Sequence, residues 1–554
     1  MRILLSIKEI FDSDVNFDVN KLNLFFEKEL SFEYLLFISD ISKRCLLERK
    51  QIDILKYWLE KTDLNDIERD SIISNFFKNK RGIIFQNITN NKILLKLLNN
   101  RIDFEPNKKI AKSEYTIFLK IYLFINHQIN EKHYKIFKNR NGEDSKGLMK
   151  LKFTEVFLPT FHGELQYKPN IDPSLQYYRS EIILNFLKEK IQNLYKTFLE
   201  KTNMTSGEDY RINLSKILLQ LKEEDNCVLR VGEENIGELR LIQNLTLNNL
   251  LDSISPIKLI HLRNKPILNL FDNNFLFMSI SYLTDRIYTG LKFLLKDIVE
   301  EKTIFFNDKK IPKGTDFFSF YGREIAEPGL FEYLIEKSFN SKSNKILSGS
   351  LFEKYDLLPP PDFYIRDKGK IFLFEFKDSI IPDNIKGSYE FSEIKGELFK
   401  KLLRSNSSKD KGIKQLINVI SNLNHNEYKD LDDIEGENIV IFPILVFSDS
   451  YLDTPCINYL LNHEFKNILG EYNINTKIKI RDLTLINIDF FVKYCLNLRE
   501  KSIKFNYLIN RYHLENTNCF KRYYINELDK NLNHLKSFHD FIEEDMKITP
   551  KFFN

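Results

Sequence analysis

The sequence predicts an α/β core, with a mixed central sheet flanked by helices, preceded by a large, mainly α-helical N-terminal region. Residues 362–377 are typical of two short strands around Lys368-Gly369, and two-residue loops are the commonest hairpin connections. Residues 439–447 form a continuous apolar run, which is typical of a central strand buried on both faces. Helical patterns lie between these strands and a further alternating strand at 477–488, which indicates an α/β order.

The 554 residues are enough for several domains. Residues 1–145 show successive amphipathic helices and end in a polar, glycine-containing stretch that predicts a linker. Residues 146–314 mix helical and strand patterns and carry no recognisable catalytic motif, so their role is undefined. Residues 315–500 contain the α/β pattern, and residues 501–554 predict a C-terminal helical extension of mixed charge.

Two prolines predict irregular backbone. Pro159, with His162 and Gly163 nearby, predicts an irregular or short-strand segment at 152–169. Pro443 interrupts the apolar run at 439–447 and predicts a bulge or a sheet edge, because proline cannot donate a ladder hydrogen bond.

Composition bounds the class of protein and its compartment. The net charge of +4 neither demands nor excludes nucleic acid, so any such binding depends on local patches. The five cysteines are scattered without a Cys-x-x-Cys pair, which argues against a zinc ribbon and favours a reducing cytoplasm. We find no signal peptide, no membrane-length apolar run, no Walker loop and no dinucleotide fingerprint, so a cytoplasmic protein without a membrane partner is predicted.

The hairpin register places three charged side chains on one face. If Lys368-Gly369 form the loop, Asp367 pairs with Lys370, and counting back pairs Asp362 with Glu375. Side chains two apart in a strand share a face, so Lys377 lies beside the two carboxylates. The opposite face is predicted to be core and carries Phe363, Ile365, Phe372, Phe374 and Phe376.

Two opposed carboxylates repel each other unless a cation lies between them. Hard oxygen ligands suit Mg²⁺, with Mn²⁺ as a substitute, so Asp362 and Glu375 are predicted to bind a metal ion. Lys377 is placed to orient a water molecule or to stabilise charge on a phosphate. The three residues predict metal-assisted phosphodiester hydrolysis. The alternative is that these residues have no catalytic role, because a Glu-x-Lys triplet occurs by chance at strand ends in a lysine-rich chain.

The order Pro361-Asp362 followed by Glu375-Phe376-Lys377 resembles the PD-(D/E)xK nuclease superfamily, which includes restriction endonucleases and Holliday-junction resolvases. The resemblance covers roughly residues 315–500. It implies a restriction-endonuclease-like core, cleavage that leaves a 5′-phosphate, and the Phe376 carbonyl as a further metal contact.

The family also has an acidic helix before the aspartate strand, and residues 327–337 are the match for it. Pro328 suits the start of that helix. Glu332 lies at the edge of the apolar stripe, while Glu336 lies further round toward solvent. The resemblance therefore makes Glu332 the third acidic residue, reaching the metal directly or through water. The alternative is an ordinary carboxylate near a helix N-terminus.

A second helix is expected downstream, and residues 411–423 show a helical apolar stripe. Lys414 and Gln415 match the family's fourth motif by type, with a solvated Gln415 as the alternative because it lies off the centre of the stripe. The predicted nucleic-acid-binding residues around this helix are Lys400, Lys401, Arg404, Lys411, Lys414 and Gln415. A solvated, lysine-rich face is the alternative for the cluster.

These observations predict a magnesium-dependent DNA endonuclease. A large helical region joined to such a nuclease also resembles bacterial restriction or phage-defence (antiviral) effectors. Two alternatives stay open: a non-catalytic nucleic-acid-binding or assembly subunit on the nuclease fold, and an RNase that uses the same site. A protein partner or a homo-oligomer is compatible with each of them.

Overall fold

The computed structural model divides the chain into two compact units, residues 1–141 with 167–311, and residues 142–166 with 312–554. It describes the whole chain except residues 1–2, 13–18, 28–29, 48, 80–81, 101, 104–108, 139–148, 166–171, 248–255, 271, 340–343, 404–409, 519–534 and 552–554.

The first unit is built mainly of helices. Their bounds are Ile7–Phe11, Val19–Phe26, Glu33–Leu46, Gln51–Glu60, Asp66–Lys78, Asn87–Leu98, Lys112–Lys138, Pro173–Lys190, Gln192–Thr202, Gly207–Glu223, Ile236–Asn244, Leu259–Asn264, Ile280–Asp285 and Thr289–Glu301. Trp58 lies at the centre of their aromatic core and is fully buried, with the rings of Phe37 and Phe118 at 4.7 and 5.5 Å. Its indole N–H donates to the Tyr115 carbonyl at 3.1 Å, so the buried polar atom is satisfied.

Short strands complete the first unit. They are β1 (Ile3–Leu4), β2 (Leu30–Ser31), β3 (Gly82–Ile83), β4 (Ile102–Asp103), β5 (Val228–Arg230), β6 (Ile267–Asn269), β7 (Asn274–Phe277), β8 (Phe305–Phe306) and β9 (Lys309–Lys310). β1 pairs with β3 and β2 with β4, both in parallel. β7 lies between β5 and β6 in an antiparallel sheet, and β8 pairs with β9.

The second unit contains a six-stranded mixed sheet. Its strands are β10 (Lys345–Ser348), β11 (Phe363–Asp367), β12 (Lys370–Lys377), β13 (Ile439–Phe447), β14 (Ile478–Ile480) and β15 (Thr484–Asn487). β10, β11 and β12 are antiparallel neighbours, β13 runs parallel to β12, and both β14 and β15 pair in parallel with the far side of β13. The predicted α/β class with a mixed central sheet is therefore confirmed.

Helices surround this sheet. Their bounds are Met149–Leu165, Asp316–Tyr321, Tyr333–Phe339, Gly349–Lys354, Asp383–Lys386, Phe391–Leu402, Ile413–Asn424, Ile457–Leu469, Ile488–Arg499, Phe505–Asn518 and Phe538–Asp540, with π-helices at Gly322–Glu332 and Phe541–Met546 and a 3₁₀ turn at Ser450–Asp453. In the part of the chain that the structure describes, no helix is both long and apolar enough to cross a membrane.

Both faces of the central strands are covered, which explains their continuous apolar sequence. On one face, Phe331 of the π-helix stacks on Phe376 with ring centroids 5.0 Å apart and planes at 10°. Phe505 packs on the same face, 5.4 Å from Phe372. On the other face, Tyr364 packs against Phe352. This burial on two sides fixes where β12 ends, and hence where its terminal charges lie.

The prediction of a bulge or sheet edge at Pro443 is wrong, because β13 lies inside the sheet. The residue pairs with Leu373 of β12 in an unbroken register. On its other side, β14 pairs with residues 439–441 and β15 with residues 444–447. Pro443 lies between these two pairings, so its missing N–H interrupts neither of them.

The prediction of an irregular or short-strand segment at 152–169 is wrong for residues 152–165, because the helix Met149–Leu165 runs through Pro159. Residues 166–169 lie outside the described residues. The helix belongs to the second unit and contacts the helices Asp383–Lys386, Phe391–Leu402 and Ile457–Leu469. The second unit therefore takes in residues 142–166 as well as the chain from 312 onward, whereas the sequence grouped 146–314 as one region.

A buried polar network holds the antiparallel edge of the sheet to the loop before β13. Asp432 is 5% exposed and accepts hydrogen bonds from the Tyr364 hydroxyl, from Lys345 Nζ at 2.7 Å and from the Arg366 guanidinium at 2.8 Å. Glu437 also accepts from Arg366. The carboxylate of Asp432 thus joins two neighbouring strands, β10 and β11.

Asp432→Ala is expected to reduce the stability of this edge by about 3 kcal/mol, because it leaves a buried hydroxyl and a largely buried guanidinium short of a partner. Hydrogen exchange of peptides covering β10 and β11 measures the change. Asp430→Ala, at an exposed neighbouring carboxylate, is the control and should leave exchange unchanged. Equal exchange in both variants would contradict the importance of this network.

Candidate functional site

The β11–β12 hairpin positions the predicted site. Lys368-Gly369 form the two-residue turn, and Asp367 pairs with Lys370, so the predicted register is confirmed. Regular pairing reaches Phe363 and Phe374, one step short of Asp362 and Glu375. The two carboxylates therefore lie where the hairpin ladder ends.

Asp362 is held by the backbone on both sides. Its Oδ2 accepts the Phe376 N–H at 2.6 Å, and its carbonyl accepts the Gly349 N–H at 3.0 Å. A Cβ at Gly349 would lie 2.7 Å from the Pro361 carbonyl oxygen, so only glycine lets the chain approach this closely. These contacts fix the carboxylate beside the end of β12.

Glu375 and Lys377 form a buried ion pair, with 2.6 Å between Lys377 Nζ and Glu375 Oε1. The Glu375 side chain is fully buried, while that of Lys377 is 21% exposed. The second carboxylate oxygen, Glu375 Oε2, has no hydrogen-bond partner among the described residues. A buried oxygen left in this way is costly, and it is available to a ligand.

Burial and charge act together on these groups. Burial and the neighbouring Asp362 raise the pKa of Glu375 to about 8, although Lys377 opposes this shift. Burial also raises the pKa of Asp362, against the effect of Lys377. For Lys377, burial disfavours the charge, but Glu375 and Asp362 outweigh it and raise the pKa of the ammonium group. Lys377 therefore stays protonated, while burial disfavours the simultaneous ionisation of Asp362 and Glu375.

Glu327 is the site residue that sequence reasoning missed. Burial raises its pKa to about 9, and the next largest cause is Asp362, followed by the opposing charge of Lys377 and by Glu375. Glu327 thus interacts electrostatically with all four predicted site residues, because Glu332 also contributes to its raised pKa, as the smallest of these influences. The π-helix that carries Glu327 begins beside the end of β12, since a Cβ at Gly322 would lie 3.6 Å from Asp378 Cβ.

Glu332, the predicted third acid, lies nearby but is less closely coupled. The pKa of Glu332 is raised to about 7. Burial is the largest cause, and the negative charges of Glu336 and then Asp362 add to it. Glu336 itself is exposed, as the helical stripe predicted. Of the two candidate acids, Glu327 interacts electrostatically with Asp362, Glu375 and Lys377, whereas Glu332 has only Asp362 of these among its principal influences.

Glu327 is not selected from the sequence, because Pro328 is interpreted there as the start of a helix, and the assignment of Glu332 stays a prediction. In the structure Pro328 lies inside the π-helix Gly322–Glu332, which continues directly from the helix Asp316–Tyr321. A π-helix has a wider turn than an α-helix, so side-chain directions counted at 3.6 residues per turn do not apply. One sequence feature could have identified Glu327: it is an acidic residue directly before a proline, within a helical pattern that continues on both sides of that proline.

The fit of a metal ion depends on the acidic donors present. Among the described residues, no group of three or more His, Cys, Asp or Glu side chains is close enough to hold a metal ion by itself. Mg²⁺ commonly takes one or two carboxylates and keeps several waters. Asp362 and Glu375, with the unpartnered Glu375 Oε2, match that smaller donor set.

Three of the predicted nucleic-acid-binding lysines lie together next to the site. The pKa of Lys411 is lowered by partial burial first, then by Lys401, Lys377 and Lys400. Glu397 is the nearby carboxylate, at 3.8 Å from Lys401 Nζ and 3.9 Å from Lys400 Nζ. The positive side chains therefore extend from Lys377 onto the helix Phe391–Leu402.

The other predicted binding residues have different surroundings. Lys414 forms an ion pair with Asp410 at 3.5 Å. Gln415 Oε1 accepts the Gly412 N–H at 2.7 Å, so this amide caps the start of its own helix. Arg404 lies outside the described residues. The structure thus brings together Asp362, Glu375, Lys377 and the lysine cluster, and gives Gln415 a local structural partner.

Comparison with known proteins adds no assignment. No protein-family model matches the chain, and no curated protein or solved structure shows significant similarity to it. Arguments about function therefore depend on the site itself.

Glu327→Gln is expected to stabilise the metal-free protein increasingly as the pH rises from about 5 to about 9. Unfolding lets Glu327 ionise at its usual pKa near 4.5, whereas in the folded state its pKa is about 9. Between these pH values, ionisation of Glu327 stabilises the unfolded wild type as the pH rises, so the free energy of unfolding falls. The glutamine variant cannot ionise at this position and does not lose that stability.

Thermal unfolding in chelator across this pH range measures the difference from the wild type. Glu471→Gln, at an exposed carboxylate outside the acidic cluster, is the control and should show no pH-dependent difference. A constant difference for Glu327→Gln at every pH would show that ionisation of this carboxyl is not suppressed by folding.

Proposed function

We propose that this chain is a metal-dependent nuclease that hydrolyses phosphodiester bonds, with DNA as the favoured substrate and a restriction-endonuclease-like core as its second unit. The observation that carries the proposal is the fully buried Glu375, with Oε1 paired to Lys377 and Oε2 unpartnered, at the end of the hairpin that brings in Asp362. A buried acid cluster with shifted pKa values is typical of a functional site.

Asp362 and Glu375 would hold Mg²⁺ or Mn²⁺, with the Phe376 carbonyl as a further contact, and Glu327 would act on the cation through water. When bound, the cation would polarise the phosphate and lower the pKa of a coordinated water. Glu327 takes the place that the sequence gave to Glu332, because its carboxylate is coupled to both acids and to the lysine. Glu332 would act at longer range, through water.

Lys377 has two roles in this proposal. In the free protein its ammonium neutralises part of the charge of Glu375, which keeps the acid cluster stable. Its partial exposure lets the same ammonium face a substrate, where it would orient the attacking water or stabilise negative charge on the phosphate. Its raised pKa keeps it protonated across the physiological range.

The cluster of Lys400, Lys401 and Lys411 supports a polyanionic substrate. These side chains lie close enough to depress the pKa of Lys411, so they face a common region next to Lys377. A phosphate backbone would relieve that repulsion and release counterions. Glu397 neutralises the cluster only in part, because one carboxylate serves two lysines at 3.8 and 3.9 Å.

Two other functions are compatible with this surface. An RNase would use the same acids and lysines to cleave an RNA substrate instead of DNA. A non-catalytic binding subunit would use the lysines alone and would not need the unpartnered Glu375 oxygen. The large helical unit that precedes the core is why we propose a bacterial restriction or phage-defence setting, which is an analogy of architecture.

Glu375→Ala and Lys377→Ala are each expected to reduce cleavage by at least 100-fold, because each removes a group that touches the metal or the phosphate. The assay incubates the protein with supercoiled plasmid, linear duplex, single-stranded DNA and RNA, in Mg²⁺, Mn²⁺ or chelator. Loss of cleavage in chelator and in both variants supports the nuclease, and the preferred substrate identifies its class.

The acidic helix supplies a graded series of controls. We expect Glu327→Gln to lose more activity than Glu332→Gln, and the exposed Glu336→Gln to retain wild-type activity. Cleavage that persists unchanged in Glu375→Ala would point to a contaminant or another site. If the folded wild type cleaves none of the substrates yet binds them, the binding-subunit alternative is favoured.

The lysine cluster is expected to set the salt dependence of nucleic-acid binding. Removing one phosphate contact should reduce the slope of log K against log salt by about 0.9 for duplex DNA, so Lys401→Ala and Lys411→Ala should each show a shallower slope. Binding in chelator by fluorescence anisotropy measures the slope. Lys429→Ala, at an exposed lysine outside the cluster, is the control. Equal slopes in all variants would exclude the cluster as a phosphate contact.

A further inference from the structure

A cavity lies in the same unit as the candidate site, at the opposite end of β12. Its volume is about 400 Å³, which is within the range of small-molecule sites. Lys370, the first residue of β12, lines it, whereas Lys377 ends the strand at the acidic site. Eight residues of extended strand separate the two ends by roughly 23 Å. The cavity is therefore distinct from the candidate active site.

Packed aromatic rings form one wall of the cavity. Phe339, Phe372 and Phe505 line it, with Phe505 at 5.4 Å from each of the other two ring centroids. All three side chains are at least nine-tenths buried. Because they also pack on the sheet core, the three rings form a fixed apolar wall against which an aromatic ring of a ligand can pack.

Cations surround that apolar wall. The charged side chains that line the cavity among the described residues are Lys370, Arg499, Lys501, Lys504 and a single carboxylate, Asp367. Lys370, Arg499 and Lys504 form no ion pair with any carboxylate that the structure describes. The lining thus carries four positive groups against one carboxylate, and this excess of positive charge suits an anionic ligand.

The start of a helix adds further positive potential. Phe505 and Asn506 line the cavity and begin the 14-residue helix Phe505–Asn518. The first N–H groups of a helix have no partner within the helix and carry the positive end of its dipole. Together with the cationic side chains, this arrangement suits a phosphate group.

We propose that this cavity binds a nucleoside phosphate, with the phosphates at the cations and the helix N-terminus and the base against the aromatic wall. The combination of an apolar wall and several positive groups favours this ligand over inorganic phosphate, which cannot use the wall. The same chemistry is present in a free nucleotide and in the terminal nucleotide of a nucleic-acid strand. The inference does not depend on nuclease activity, because no residue of the acidic site contributes to it.

The test is isothermal titration of the full-length protein in chelator, which prevents metal-dependent cleavage. The probes are ATP, AMP, inorganic phosphate and a 5′-phosphorylated dinucleotide. We expect saturable binding of a nucleoside phosphate at least tenfold tighter than that of inorganic phosphate, and tighter binding of ATP than of AMP. Binding of the dinucleotide but of neither free nucleotide would assign the cavity to a strand end, with the same ligand chemistry.

Lys504→Glu is expected to weaken binding at least tenfold. Lys479→Glu, an equal charge reversal at an exposed lysine of β14, should leave binding unchanged. Arg499→Glu, also at an exposed side chain, provides the second variant if Lys504→Glu lowers the melting temperature. Three results would overturn the proposal: no saturable binding to the folded wild type, equal affinity for inorganic phosphate, or equal binding by the Lys504→Glu and Lys479→Glu proteins.

Discussion

The burial of Glu375 is the constraint on which the candidate site depends. Its side chain is fully buried because β12 lies between β11 and β13 with both sheet faces covered. Desolvation makes an isolated carboxylate there unfavourable, and Lys377 reduces that penalty by pairing with one oxygen. The arrangement still leaves Oε2 without a partner. Such an imbalance is tolerated where a ligand completes it, as at a functional site.

The same strand links the features that carry the proposed activities. The end of β12 at Lys377 meets Asp362, the π-helix and the lysines that follow. The beginning of β12, at Lys370, contributes to the cationic cavity. Because β12 is paired on both sides and packed on both faces, the two ends are held at a fixed separation. A ligand at one end and a polyanion at the other would therefore bind to one rigid element.

The acidic helix shows how a local change in helix geometry alters the composition of a site. Gly322–Glu332 is a π-helix, and its wider turn allows Pro328 to lie within it. This brings Glu327 to interact with Asp362, Glu375 and Lys377, while Glu332 is influenced more by Glu336 than by Asp362. The carboxylate that interacts with all three of these residues thus precedes the proline, and a count at α-helical spacing does not identify it.

The sequence by itself determined the hairpin, because the Lys368-Gly369 turn sets the register of its flanking residues by local geometry, which places Asp362, Glu375 and Lys377 together. It also determined the buried central strand, since a continuous apolar run needs two covered faces. Only the tertiary structure decided the electrostatic coupling of Glu327 to the site, the inclusion of the helix Met149–Leu165 in the second unit, and the tolerance of Pro443 between the β14 and β15 pairings. These depend on contacts between segments far apart in the chain, and neither residue spacing nor local propensity contains that information.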